Sequence, residues 1–196
     1  MALARQSIGI ILMRPAPGKR VVWLLDREWG HIRALLDARL RMPVLNGAVM
    51  TYTITEQGDQ FLVTDMCVEQ LPVYHSLLAL QFGHHLLQIM HAALPQGYVD
   101  QQLFADVVMV FAHLDILGDD YERQQLVLGK LSAWMGLILP EHPAINRLMH
   151  TPIESLLTMV VASDLAQQAH MVVMRSLITL PGTAKLQYIQ FIKGQR

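Results

Sequence analysis

The sequence contains a single cysteine, Cys67, so no disulfide can form within the chain and a zinc site built from several cysteines is excluded. This cysteine usage fits a reducing compartment, and we expect the protein to be cytoplasmic. No apolar run reaches the roughly 18 residues that a membrane-spanning helix needs. The apolar stretch near the start stops at Arg14 without a cleavage site, so we expect neither export nor a membrane partner.

The common catalytic signatures are missing as well. No serine lies in a Gly-x-Ser-x-Gly turn, and the PAPGKR segment at 15–20 lacks the first glycine and the Ser or Thr of a phosphate-binding loop. His84 and His91 share a helix face but lie two turns apart, which is too far to hold one metal ion easily. We predict that the protein is not an enzyme and uses no metal or other cofactor. An enzyme that uses the mouth of a barrel remains an alternative.

Basic residues are concentrated at the start of the chain. The formal charge of the whole protein is −1, which is unlike a generic nucleic-acid binder, because the binding domain of such a protein is strongly basic. Residues 1–41, however, contain eight Lys or Arg and three Asp or Glu, whereas residues 42–75 contain four acids and no Lys or Arg. The local excess of positive charge is what a phosphate-binding surface requires.

The two parts of the chain differ in hydrophobic periodicity. Up to about residue 70, short apolar or alternating runs are separated by turn signals, which is typical of strands; after Pro72, apolar residues recur at helical spacing. The sequence therefore predicts an α+β protein, with a five-stranded OB-type barrel over residues 1–71 and an all-helical domain over residues 72–196. The predicted strands are 7–13, 21–26, 31–36, 47–55 and 60–70. The predicted helices are 73–94, 100–118, 121–135, one that begins at a Thr151–Glu154 capping box, 164–179 and 184–193.

The segment GHIRALLDARLR, residues 30–41, fits both a helix and a strand by periodicity. Its context favours a strand, because Gly30 closes a turn that follows the preceding strand. We therefore predict a third strand over residues 31–36. Its inward residues are Ile32, Ala34 and Leu36, and its outward residues are His31, Arg33 and Leu35.

Seven basic residues form the predicted DNA-binding surface. In that interpretation they contact the backbone phosphates of a single strand, and Trp29, which lies in a turn between charged residues, stacks on a base. Tyr52 shares a strand face with apolar residues and is assigned to the core. The alternative for the basic residues is ordinary solvation of the surface. The seven residues are Arg14, Lys19, Arg20, Arg27, Arg33, Arg39 and Arg41.

The residues described so far give the sequence a resemblance to the RecO family of bacterial recombination mediators. The first match is an apolar strand, a second strand that ends in an acid, the Glu28-Trp29-Gly30 turn, and an arginine-bearing third strand that ends in Ala38-Arg39. The second is LPVYHSLLALQFGHHLLQIMHAALPQGYVDQQLF at 71–104, which is similar to the family's first helices after the barrel.

The resemblance implies an OB-fold domain followed by a helical domain, no catalysis, and binding to three partners. These are single-stranded DNA, RecR, and the C-terminal tail of the single-stranded DNA-binding protein, and binding to them promotes annealing and RecA loading. Two features depart from the family pattern. The four-cysteine zinc module is missing, and Leu36 and Asp37 stand where the family usually has a lysine or glycine, which weakens the phosphate-binding surface.

Four basic residues among the apolar helices form the predicted partner-binding surface, because a cationic and apolar face suits an acidic, hydrophobic peptide tail. These residues are Lys130, Arg147, Arg175 and Lys185. The alternative is that they only solvate helix faces. For the protein as a whole, the alternative to a DNA-binding mediator is a protein-interaction module of the same fold that has lost DNA binding.

Overall fold

A computed structural model describes residues 3–17, 19–40, 44–139 and 141–177 of the protein. Within these residues five strands precede seven helices, which confirms the predicted α+β class and the five predicted strands. The strands are β1 (Ala4–Met13), β2 (Val21–Asp26), β3 (Gly30–Leu36), β4 (Val49–Gln57) and β5 (Gln60–Gln70). The helices are α1 (Leu77–Ala93), α2 (Gln101–Ala112), α3 (Leu114–Gly118), α4 (Tyr121–Trp134), α5 (Pro143–His150), α6 (Ile153–Thr158) and α7 (Ser163–Leu177).

The packing of the chain divides it into two units. The barrel unit consists of the residues up to Pro72 together with Leu94–Phe104. The helical unit consists of Val73–Ala93 together with the described residues from Ala105 onward. The segment Leu94–Phe104 lies inside the domain that the sequence predicts to be helical, but it packs with the strands.

The five strands close into a barrel in the order β1-β2-β3-β5-β4. Neighbouring strands are antiparallel except β3 and β5, which pair in parallel over Ala34–Leu36 and Phe61–Val63. The pairs β1–β2 and β2–β3 join strands that are consecutive in the sequence. The parallel pair joins strands that are distant in sequence, and closure of the barrel depends on it.

Alternation of apolar residues along the strands fills the barrel. Ile32, Ala34 and Leu36 are buried and Arg33 is exposed, as predicted for β3. On the outward face, however, His31 is buried and Leu35 is partly buried. Tyr52 on β4 is also fully buried, as predicted. Because burial of one large apolar side chain stabilises a fold by roughly 1.5–3 kcal/mol, this shared interior is the main source of the barrel's stability.

The buried carboxylate of Asp26 organises the turn between β2 and β3. It accepts hydrogen bonds from the Ser7 hydroxyl at 2.7 Å and from the Tyr52 hydroxyl at 2.5 Å. It also accepts bonds from the backbone amides of Glu28 at 2.7 Å and Trp29 at 2.8 Å. Burial, followed by the negative charge of Asp26, raises the pKa of Tyr52 well above its usual value. The tyrosine therefore stays a neutral donor to the carboxylate.

The segment Leu94–Phe104 covers the start of β3 within the barrel unit. The His31 amide donates to the Tyr98 carbonyl oxygen at 3.2 Å, and the Gly97 amide donates to the His31 carbonyl oxygen at 2.9 Å. Gly30 lies in the left-handed region with φ +70°, and a Cβ there would collide with the Tyr98 carbonyl. Glycine is therefore required at this position both for its backbone angle and for the close approach.

The helical unit is built around α4, which packs against α3, α5, α6 and α7. The predicted helix over residues 100–118 is divided at His113 into α2 and α3. Helix α5 is not among the predicted helices, and α6 begins after Pro152 without a side-chain cap. The cap of α4 is Asp120, whose side chain accepts from the Arg123 amide at 2.8 Å. The predicted helix at 184–193 lies outside the described residues.

Candidate nucleic-acid interface

Three of the predicted DNA-binding residues line one pocket at the end of β3. Arg14, Lys19 and Arg20 are all exposed, and they come from the connection between β1 and β2. We call this the basic pocket; it has a volume of about 290 Å³. Its other lining residues are Pro15, Ala16, Leu36, Asp37, Ala38, Leu40 and Val44.

Backbone hydrogen bonds hold the basic pocket in shape. The Lys19 amide donates to the Ala16 carbonyl oxygen at 2.9 Å and closes a tight turn. The Leu36 amide donates to the Arg20 carbonyl oxygen at 2.8 Å and ties this connection to β3. Because these bonds use only main-chain atoms of Lys19 and Arg20, both cationic side chains are left at the surface.

Asp37 introduces a negative charge into the basic pocket. Its carboxylate accepts hydrogen bonds from the Arg39 guanidinium, from Nε at 3.1 Å and from Nη2 at 2.9 Å. The pKa of Asp37 is lowered to about 2, mainly by the hydrogen bonds from the Arg39 side chain and amide. The positive charge of Arg20 lowers it further. The carboxylate is therefore ionised at neutral pH and neutralises Arg39.

A second pocket lies at the start of β3, where two aromatic rings meet. The ring centroids of Trp29 and Phe61 are 5.2 Å apart, and both side chains pack against the barrel interior. We call this the aromatic pocket; it has a volume of about 350 Å³. Its other lining residues are Glu28, His31, Ile32, Arg33, Asp59, Gln60, Gln96, Gly97 and Val99.

His31 fixes one wall of the aromatic pocket. Its Nδ1 lies 2.7 Å from the Leu94 carbonyl oxygen, and because a carbonyl only accepts, this nitrogen carries the proton. Burial lowers the pKa of His31 below its usual value, although the hydrogen bond with Leu94 acts in the opposite direction. At neutral pH the imidazole is therefore neutral and holds the segment Leu94–Phe104 against β3.

Strand β3 connects the two pockets. Its seven residues span roughly 23 Å at about 3.3 Å per residue. Between the pockets lies a small cleft of about 40 Å³, lined by Val21, Arg33, Ala34, Leu35 and Gln60. Trp23 on β2 is the cross-strand neighbour of Arg33 and is only partly buried. Strand β3 therefore has cations near one end and aromatic rings near the other.

The predicted DNA-binding residues fall into separate groups. Arg14, Lys19 and Arg20 come together in the basic pocket, and Trp29 and Arg33 line the aromatic pocket. Arg27 is exposed 3.9 Å from Glu28 and lines neither pocket, and Arg39 is paired with Asp37. Arg41 lies outside the described residues.

The structure corrects the interpretation of Lys130. This side chain is only 2% exposed, and its ammonium group lies 3.5 Å from the Asp106 carboxylate. The ammonium also donates to the carbonyl oxygens of Met149 at 3.0 Å and Thr151 at 2.9 Å, where α5 ends. A buried charge is stable only when it has such partners, so Lys130 is an internal group of the helical unit. It is not part of a surface that a partner protein can reach.

The other predicted partner-binding residues are distributed differently. Arg147 on α5 and Arg175 on α7 are exposed, and neither guanidinium makes an ion pair with another described residue. Lys185 lies outside the described residues.

Sequence reasoning missed Phe61, Asp59 and Gln60 of the aromatic pocket. The turn signal EQGD places Asp59 between β4 and β5, but nothing local indicates that β5 pairs with β3. That long-range pairing brings Phe61 next to Trp29. The outward position of His31 on β3 is predicted correctly, but its burial under Leu94–Phe104 is not.

No group of three His, Cys, Asp or Glu side chains in the described ranges is arranged to hold a metal ion. None of the described helices is both long enough and apolar enough to span a bilayer.

No family model matches the chain, and no curated protein matches it. Among solved structures, apo-CusF from Escherichia coli matches with a TM-score of 0.32 and 14% identity, over 36% of this chain and 92% of the CusF chain. CusF from Escherichia coli with Ag(I) matches with a TM-score of 0.32 and 13% identity, over 35% of this chain and 95% of the other. Similarity at this level carries no argument, so the interpretation depends on the residues themselves.

Proposed function

We propose that the barrel is of the OB type and binds single-stranded DNA along β3. OB-type barrels bind oligonucleotides on the face of strands 2 and 3, between the loop that joins strands 1 and 2 and the loop that joins strands 4 and 5. Both pockets described above lie on these elements. The basic pocket uses the β1–β2 connection, and the aromatic pocket uses Asp59 and Gln60 at the β4–β5 turn.

The observation that carries this proposal is the convergence of Arg14, Lys19 and Arg20 on one pocket in a chain whose formal charge is −1. Cations that solvate a surface at random have no reason to converge. Phosphate groups bind to such clusters through charge-assisted hydrogen bonds and the release of counterions. The length of β3 suits roughly four nucleotides, which is at the lower end for one barrel of this type.

Aromatic side chains beside β3 supply the contacts for bases in this proposal. Trp23 lies beside Arg33 on the outer face, and Trp29 and Phe61 form the walls of the aromatic pocket. Stacking of a base on an aromatic ring is sequence-tolerant and contributes about 1–3 kcal/mol. In the proposed complex the DNA lies along β3. Its backbone phosphates contact the basic pocket, and its unpaired bases contact the aromatic pocket.

The proposed role of the whole protein is that of a non-enzymatic recombination mediator of the RecO type in the cytoplasm, which promotes annealing and RecA loading. In this proposal the helical unit binds RecR and the C-terminal tail of the single-stranded DNA-binding protein. Arg147 and Arg175 remain available for an acidic tail, and Leu77 and Leu80 on α1 are exposed apolar residues of the same unit. The buried Lys130 has no part in it.

The test is a titration of a fluorescein-labelled dT oligonucleotide with the full chain, followed by anisotropy at 50 and 200 mM salt. The variant replaces Arg14, Lys19 and Arg20 with glutamine. The matched control replaces Arg5, Arg147 and Arg175 with glutamine, which changes the net charge by the same amount at exposed positions outside the basic pocket. We expect binding to weaken strongly only in the pocket variant, and the log-log salt slope to become shallower by about 2.

Two results contradict the proposal. One is no binding of the unmodified chain at 50 mM salt. The other is an equal loss of affinity in the two triple variants, since this would mean that net charge, and not the basic pocket, determines binding.

A second candidate is an interaction module of the same fold that has lost DNA binding. The observation in its favour is that Asp37 neutralises Arg39 at the basic pocket. A pull-down with purified RecR and with a peptide of the single-stranded DNA-binding protein tail tests it. Capture of either partner by a chain that does not bind DNA supports this candidate, and failure with both eliminates it.

A further inference from the structure

The aromatic pocket differs from the basic pocket in the chemistry of its lining. Two aromatic rings form part of the wall, and the polar side chains around them include one cation, Arg33, and two acids, Glu28 and Asp59. Its volume of about 350 Å³ is at the lower end of the range for pockets that take small ligands. Two carboxylates repel a phosphate, whereas two aromatic rings beside one cation and two acids suit a flat group that both donates and accepts hydrogen bonds.

Hydrogen bonds within the protein hold the walls of the aromatic pocket in place. The Asp26 carboxylate holds the Glu28 and Trp29 amides, and the His31 main chain is bonded to Gly97 and Tyr98. The β4–β5 turn that carries Asp59 is a two-residue turn with Gly58 at φ +61°, between the paired residues Gln57 and Gln60. Binding therefore requires little ordering of the protein, which favours a selective site.

The nucleobases differ in how well they match this set of groups. An arginine binds two adjacent acceptors, which guanine offers at N7 and O6 and which cytosine, when unpaired, offers at N3 and O2. A carboxylate accepts from two adjacent donors, and guanine offers N1–H and N2–H on its Watson–Crick edge. Adenine and cytosine offer one amine beside an acceptor, and thymine offers no amine. Guanine is the base that offers a pair of acceptors to a cation and a pair of donors to a carboxylate at the same time.

We propose that the aromatic pocket selects guanine within single-stranded DNA, with the guanine ring against Trp29 and Phe61, Arg33 on N7 and O6, and Asp59 on N1 and N2. This inference rests on the proposed function, since it assigns base selectivity to the same β3 surface. It gives the protein a preferred sequence, in addition to the sequence-independent contacts of the basic pocket.

The charged groups of Arg33 and Asp59, which are assigned to guanine, are not engaged by other described side chains. Among the described residues none forms an ion pair or hydrogen bond with the Arg33 guanidinium or the Asp59 carboxylate. Glu28 is different, because its carboxylate lies 3.9 Å from the Arg27 guanidinium. Asp59 is therefore assigned to the Watson–Crick edge, and Glu28 becomes the matched control, since it carries the same charge in the same pocket.

The first experiment measures anisotropy with the full chain and four labelled dT oligonucleotides of 12 nucleotides, each with one central dG, dA, dC or dT. We expect the dG oligonucleotide to bind about 10-fold tighter than the dT one. Deoxyinosine at that position lacks the N2 amine and is expected to lose most of the gain. Replacement by 7-deazaguanine removes the N7 acceptor and is expected to lose part of it.

The outcomes separate this inference from the proposed function. Equal binding of all four oligonucleotides overturns guanine selection and leaves DNA binding in place. No binding of any of them overturns both. Tighter binding of another base, or no effect of deoxyinosine, contradicts the assignment to guanine.

The second experiment compares Asp59→Asn with Glu28→Gln in the full chain, after thermal unfolding has shown that both are folded. Asp59→Asn is expected to reduce the preference for dG over dT to less than twofold, while the affinity for the dT oligonucleotide stays equal or rises because a negative charge is lost. Glu28→Gln is expected to keep the preference. If Glu28→Gln removes it and Asp59→Asn does not, the assignment of Asp59 is wrong.

Discussion

The Arg39 guanidinium and the Asp37 carboxylate form a two-point ion pair at the edge of the basic pocket. The pair neutralises one arginine and leaves a negative charge beside Arg20. For the proposed function, this means that DNA affinity depends on the balance between three pocket cations and one internal carboxylate.

Replacement of Asp37 by asparagine is expected to strengthen DNA binding. The change removes the negative charge and frees Arg39, so affinity for a dT oligonucleotide at 50 mM salt should rise about three- to tenfold, with a steeper salt dependence. Anisotropy titration measures both quantities. Glu141→Gln, an exposed acid of the helical unit, serves as control and should change neither. Unchanged or weaker binding in Asp37→Asn would show that the carboxylate does not compete with DNA.

Loss of the Asp26 carboxylate is expected to destabilise the barrel. In Asp26→Ala the hydroxyls of Ser7 and Tyr52 and two turn amides lose their acceptor, which should lower the free energy of unfolding by at least about 3 kcal/mol. Tyr52→Phe removes one donor and should cost about 1–2 kcal/mol. Urea unfolding measures both values. A loss in Asp26→Ala no larger than that in Tyr52→Phe would mean that the turn amides do not depend on this carboxylate.

Gly30 and Gly58 form a matched pair for testing the contact with Tyr98. Both have positive φ, but a Cβ on Gly30 meets the Tyr98 carbonyl, whereas a Cβ on Gly58 meets nothing within 4 Å. Gly58→Ala should cost about 1 kcal/mol from backbone conformation alone, and Gly30→Ala clearly more. Equal losses in urea unfolding would show that Leu94–Phe104 does not pack closely on β3.

Stability is expected to fall as the pH decreases below about 6.5. Burial lowers the pKa of His31, and it also lowers that of His85, so the unfolded chain binds protons more readily than the folded one in this range. The free energy of unfolding should therefore be higher at pH 7.5 than at pH 5.5. His31→Gln should reduce this difference and the exposed His75→Gln should not. An unchanged difference in His31→Gln would exclude His31 as a source.

The buried pair Lys130–Asp106 gives a prediction for the helical unit. Lys130→Met leaves the Asp106 charge buried, so it should cost about 3–5 kcal/mol, and adding Asp106→Leu should recover much of that loss. Arg147→Met, at an exposed position, should stay within about 0.5 kcal/mol. Denaturant unfolding decides the matter. If Lys130→Met is as mild as Arg147→Met, Lys130 is not the internal group described above.

Strand positions could be predicted from the sequence because alternation of buried and exposed residues is local. The same pattern could not show that β3 pairs with β5 or that Leu94–Phe104 returns to the barrel, since both depend on residues far apart in the chain. The aromatic pocket depends on both features. Of the residues that line this pocket, the sequence identifies only Trp29 and Arg33 as candidates for DNA binding.

The helical unit shows a similar limit of sequence reasoning. The repeat of apolar residues predicts α1, α4 and α7, but α5 has only eight residues and is not among the predicted helices. In the sequence, Lys130 resembles a surface cation because its partners lie on other helices and cannot be recognised from neighbouring residues. Only the folded arrangement brings the Asp106 carboxylate and the end of α5 to its ammonium group.

The barrel unit is interrupted in the chain, because residues 73–93 separate its strands from Leu94–Phe104. During synthesis, all five strands leave the ribosome before the segment that covers His31. In the nascent barrel, Gly30 and His31 therefore stay uncovered until α1 and then Leu94–Phe104 have been translated. Cotranslational folding of this protein thus follows an order in which a helix of the second unit is made before the first unit is complete.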